Sequence, residues 1–201
     1  MTRIATAWGL SILIGLAGAA PAPAARATAA HKKLPPRAAA EQAPSLAVTL
    51  AYIRDKVAQQ GLIAYAGASH DSADSTSWVN QFTVEASEVT VDEANCRVDF
   101  HWRTTADGKV VADEKDAGLP LKRITSVTVS DMEEDMARIS SRAGHTTWVT
   151  TVRPQITVLQ ALRNSGTSSA LDFRDRDTAE RVAKAIRHGA DLCGGTKSEP
   201  F

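Results

Sequence analysis

The stretch RHGADLCGG, residues 187 to 195, sets a histidine and a cysteine five positions apart in front of a glycine pair. A thiol activated by His188, or a metal held by His188 and Cys193, is the chemistry these residue types suggest. The spacing disfavours both. Side chains on a helix meet at three or four residues, not five. A helix C-terminus also sets the negative end of its dipole beside the thiol. No Cys-x-x-Cys or His-x-x-x-His pair offers further zinc ligands, so neither a metal nor another cofactor is expected.

A second role for Cys193 follows from the start of the chain. Residues 1–24 carry an early cation, Arg3, an apolar run from Ile4 to Leu16, and then small residues with Pro21 and Pro23. That is the layout of a secretory signal peptide, with several A-x-A steps open for cleavage. The alternative is an N-terminal membrane anchor, but the apolar run is short for a span of about 20 residues; the sequence shows no second such run, so no transmembrane segment is expected after cleavage. Residues 25–44 are an Ala/Pro-rich tether without hydrophobic period, residues 45–195 are the length of one domain, and residues 196–201 form a tail. Export, to the periplasm or beyond the cell, makes pairing the default for the two cysteines, Cys96 and Cys193. Closing a loop of about 100 residues is worth about 4–5 kcal/mol in the chain-entropy model.

The other candidates for chemistry are scattered. In CRVDFHWR, residues 96 to 103, alternation turns Cys96, Val98, Phe100 and Trp102 to one face and Arg97, Asp99, His101 and Arg103 to the other. The second face could meet a carboxylate or phosphate through forked arginine donors, or simply carry cross-strand ion pairs. Ser69, His70 and Asp71 are adjacent in sequence, which does not give the nucleophile–base–orienter chain of a triad. The polar run ASHDSADSTS around them, with Asp74, reads as a solvated loop and lacks the spacing of a calcium loop. His31 falls in the tether, and His145 and His188 stand singly. Trp78, Trp102 and Trp148 fall on predicted strands, as core residues or as walls of a pocket. Glu85, Glu88, Asp92 and Asp99 offer no distinct glycosidase pair. The chain has 23 basic and 23 acidic residues, and no basic footprint for nucleic acid.

These residues need elements to hold them. PSLAVTLAYIRDKVAQQG (44 to 61) predicts a helix capped by Ser45, with Leu46, Leu50, Ile53 and Val57 on one stripe and Gly61 as its stop. DTAERVAKAIRHGADLCGG predicts a second, with Asp177 and Glu180 as a capping box. Between them run extended segments at 77–91, 96–103, 123–129, 145–152, 155–162 and 170–174, and ADGK marks a hairpin turn. SDMEEDMARI (130 to 139) fits either a short helix, capped by Ser130 and Glu133, or a polar loop. The expected class is α+β: an antiparallel β-barrel or strongly bent sheet with an N-terminal helix and a C-terminal capping helix.

That order of strands and a closing helix resembles the pleckstrin-homology-like barrel. FRDRDTAERVAKAIRHGADLCGG, with ANCRVDFHWR and LAVTLAYIRDKVAQQG, is similar to a family of exported bacterial proteins for which no activity is established. The resemblance implies a fold and a compartment but no catalytic residues. Phosphoinositide binding is not expected, because the first hairpin lacks clustered Lys and Arg. The expectation is a non-enzymatic binding or structural domain of the bacterial cell envelope, its partner an envelope protein or surface component. A small apolar-ligand carrier is the alternative; an unrecognised hydrolase, which would have to use His101, is the remaining one.

Overall fold

The computed structural model describes residues 43–73, 77–144 and 148–195. The leader, nearly all of the tether, His31, Asp74, His145 and the tail lie outside them.

The first helix, α1 (Leu46–Gln60), follows its predicted logic. Ser45 caps it by accepting from the Val48 N–H, Leu50, Ile53 and Val57 turn inward, and Gly61 stops it at φ 55°. Four strands then run as an antiparallel meander: β1 (Leu62–Asp71), β2 (Ser77–Asp92), β3 (Arg97–Ala106) and β4 (Lys109–Pro120). The predicted ADGK turn joins β3 to β4, with Asp107 and Gly108 both at positive φ as a two-residue hairpin demands. Asp107 also holds the neighbouring strand: its N–H donates to the Gln81 carbonyl, and its carboxylate accepts from the Gln81 N–H, both at 2.8 Å.

After a 3-10 turn (Leu121–Arg123), the chain alternates between two sheets. Strand β5 (Ile124–Asp131) leads through α2 (Met132–Arg142) to β6 (Trp148–Arg153), and then come β7 (Thr157–Arg163), β8 (Ser168–Phe173) and α3 (Arg176–Leu192). The larger sheet has the order β4-β3-β2-β1-β6 and the smaller β5-β7-β8, all pairs antiparallel. The class is α+β, with three helices and two antiparallel sheets.

The strands do not close into a barrel among the described residues. Edge strands β4 and β8 approach at Gly118, where a barrel would pair them backbone to backbone. Instead the Ser169 hydroxyl and the Arg163 guanidinium donate to the Gly118 carbonyl, at 2.8 and 3.0 Å. Side chains stitch the seam that main chain leaves open.

One core lies under α1 and α3, with Leu50, Ile53, Phe100, Leu121, Phe173 and Ile186 at its centre. A second gathers Ile63, Tyr65, Val84, Met132, Val152, Ile156 and Val158. Trp102 borders both. The Cys96 and Cys193 sulfurs are 2.19 Å apart, with Cα atoms at 6.0 Å, so the pair sits at disulfide distance. It joins the turn before β3 to the end of α3.

Three local expectations are corrected. The N-cap of α3 is Asp175, whose carboxylate accepts from the Thr178 N–H at 2.7 Å. Asp177 lies in the first turn and Glu180 reaches back to Arg176 at 3.0 Å, so the predicted box does not form. The helix at α2 exists, but Ser130 and Glu133 do not cap it. Glu133 accepts from the Val152 N–H (2.8 Å) and from Arg153 (2.7 Å), covering the free edge of β6. Residues 68–71 belong to β1 rather than to a polar loop. Gly67 and Ser69 occupy its inward positions, too small or polar to announce a hydrophobic alternation.

Candidate functional site

The four residues Arg97, Asp99, His101 and Arg103 share the outer face of β3, as alternation predicts, while Val98 and Phe100 are buried behind them. Their charges are already answered. Arg97 pairs with Asp99 and donates to the Asp116 carbonyl at 3.3 Å. On β4, Asp113 meets His101 Nε2 at 2.5 Å and Arg103 at 3.9 Å. The hydrogen bond from His101, with the positive charges around it, holds the Asp113 carboxyl below its usual range. Gly118 faces Asp99 across the pairing; a Cβ there would come within 2.5 Å of the Asp99 carboxylate and 2.9 Å of the Val98 carbonyl. The face is a ladder of partly exposed arginine–carboxylate pairs and one histidine–carboxylate hydrogen bond, the kind of contact that contributes little to stability.

Sequence alone does not reveal that Ser87 stands opposite His101 on β2, which lines up serine, histidine and Asp113 across three strands. A bulge follows Ser87, with Glu88 at φ 53°. No hydrogen bond joins Ser87 to His101 among the described residues, so the base does not reach the hydroxyl that hydrolysis would need it to activate.

The remaining candidates have structural partners. Ser69, buried, shares a hydrogen bond of 2.8 Å with Thr150. His70 contacts the Ser77 hydroxyl at 2.9 Å. Asp71 accepts from the Trp148 indole at 2.7 Å and the Ala73 N–H at 2.9 Å, so the carboxylate serves the strand end. Asp92 holds the turn to β3 through Asn95, whose hydrogen bonds keep its carboxyl low. Among the described residues, no group of three His, Cys, Asp or Glu could hold a metal. Trp78 and Trp148 meet edge to face at 6.4 Å, and Trp102 meets Phe100 at 6.3 Å.

Several polar groups of note have no clear signal in the sequence. Asp172 on β8 is buried, and no hydrogen-bond donor among the described residues reaches it. Burial, then the charge of Asp135, pushes its carboxyl up to about 7. Burial and Asp172 in turn push the Tyr65 hydroxyl up. On α2, Asp135 is buried against Arg138 and the Gln160 amide (2.8 Å), and Arg138 also donates to Gln160 at 3.0 Å. Arg163 has its Nε buried without a partner.

Open space is distributed unevenly. Beside Asp172 and Trp102, between the sheets, the cavity measures about 10 Å³, room for one water at most. A wide polar cleft of about 690 Å³ lies between α2 and the smaller sheet, with Ser126, Thr128, Ser130 and Arg142 along it. A groove of about 350 Å³ between α1 and α3 is lined almost wholly by carbon. None of the helices is long and apolar enough to cross a membrane among the described residues. No protein-family model, curated protein or solved structure matches the chain.

Proposed function

We propose that the protein is an exported, non-enzymatic binding or structural domain of the cell envelope, stapled by one disulfide. The observation that carries the reading is the cysteine pair. The chain has only two cysteines, and their sulfurs lie 2.19 Å apart. Such a bond persists in oxidising compartments and is rare in the cytosol. The apolar leader and the Ala/Pro-rich tether support the same placement. The β3 face, where any enzymatic reading would have to begin, has its charges paired internally. The antiparallel strands followed by one amphipathic helix support a pleckstrin-homology-like, open arrangement as the finer description of the fold.

The test is cross-linking in intact cells followed by fractionation. The reading expects the protein in the envelope or medium, with its leader removed, cross-linked to a specific envelope protein or surface component. Recovery from the cytosol with residues 1–24 retained would overturn it. For the carrier reading, the space beside Trp102 is about 10 Å³ between the sheets and about 240 Å³ in a half-polar cleft shared with Gly118 and Arg163 at the β4–β8 seam.

A further inference from the structure

Helices α1 and α3 run antiparallel: His188 Nε2 contacts the Pro44 carbonyl at 2.9 Å near one end, and the Arg174 N–H reaches Gln60 at the other. Their inward stripes meet the core, but the shoulders facing out are mismatched. Val48 and Tyr52, one turn apart on α1, stand opposite Ala185 on α3, where a small side chain leaves the space unfilled. Val48 is 59% exposed, and the groove of about 350 Å³ falls in the size range of small-molecule sites.

Its charges have one sign. Lys184 lines the groove, is exposed, and has no ion pair among the described residues. Beyond Tyr52, the Lys56 ammonium lies 5.9 Å from the ring centre. No acidic residue lines the groove. The occupant must therefore be apolar along its length and anionic at its head. The preceding chain does not qualify, because residues 25–42 carry Arg26, Lys32, Lys33 and Arg37 against the single acid Glu41. A second copy of the same groove would set Lys184 against its own like charge. We propose that the groove binds a single-chain anionic amphiphile, the acyl chain lying between Val48, Tyr52 and Ala185 and the head on Lys184. The proposal rests on the groove and, in passing over the apolar run Ile4–Leu16 as an occupant, on removal of the leader under the exported reading; the titration therefore uses the chain without residues 1–24.

The test is calorimetric titration of that chain with dodecanoate and, separately, dodecyltrimethylammonium, each below its micellar concentration. Dodecanoate is expected to saturate one site and the cationic chain to bind about tenfold more weakly or worse, the weight of one charge-assisted contact. Lys184→Glu and Val48→Glu should each weaken dodecanoate by about tenfold. Both positions are exposed, and an unchanged melting curve confirms the fold; if Val48→Glu melts early, Lys184→Glu decides. Equal binding of the two amphiphiles, indifference to Lys184→Glu, no saturable binding, or binding to anionic vesicles without binding to monomeric dodecanoate would each overturn the proposal.

Discussion

At the scale of single residues, Asp172 makes the sharpest demand on solution behaviour. Its folded carboxyl titrates at about 7, against 3.8 when unperturbed, because burial opposes its charge. Between those two values the unfolded chain has lost the proton and the folded chain keeps it, so stability falls as pH rises through that window. The difference amounts to roughly 4 kcal/mol. Asp172→Asn should remove this fall, leaving the variant more stable than wild type at neutral pH. Urea melts at several pH values check it, and an unchanged slope in the variant would remove Asp172 as the cause. Asp92, Asp113 and Glu133 act in the opposite sense. Their carboxyls are held low by hydrogen bonds, so what they contribute is present above their ordinary range and lost on acidification. His101→Ala should cost little stability, since its partner Asp113 lies on the exposed side of the sheet. A larger loss in a urea melt would mean that the β3 face does more than carry ion pairs.

At the scale of elements, the close pairing of β3 and β4 depends on Gly118. Gly118→Ala would force a methyl against the Asp99 carboxylate and the Val98 main chain, at a cost of about 1–3 kcal/mol. Thermal melting of that variant, beside Asp99→Ala/Gly118→Ala, separates the side-chain clash from the main-chain one. The two long helices and β3 were legible in sequence because large apolar residues recur at fixed periods, as in Leu50, Ile53 and Val57 or Val98, Phe100 and Trp102. Strand β1 was not, because its inward positions include Gly67 and Ser69, and burial there is satisfied by small volume and a hydroxyl pair. The caps failed for a related reason. Asp175 and Asp177 are equally good cap types, and only the end of β8 at Phe173 decides where the helix begins. Glu133 was read as a local cap, yet it serves the edge of β6, a partner 19 residues away.

At the scale of the whole molecule, strand content was visible and closure was not. Whether antiparallel strands make one barrel or two sheets depends on edges distant in sequence. Here the β4–β8 edge is met by Arg163 and Ser169, which donate to the Gly118 carbonyl where a barrel would place a main-chain partner. The same distance limits the site: Asp172, Asp135 and Tyr65 converge from β8, α2 and β1, with no shared motif to announce them. What sequence did anticipate across the fold is that Cys96 and Cys193 come to disulfide distance, argued from their number and the leader. Closing a loop of about 100 residues should stabilise the fold by about 4–5 kcal/mol. Guanidinium melts with and without reductant measure that difference. The most direct measurement of the central claim is the intact mass of denatured protein from the exported fraction, after thiol alkylation with and without prior reduction. The account predicts a clipped leader, no alkylation before reduction and two alkylated thiols after it. Two free thiols without reduction, or a full-length leader, would contradict it.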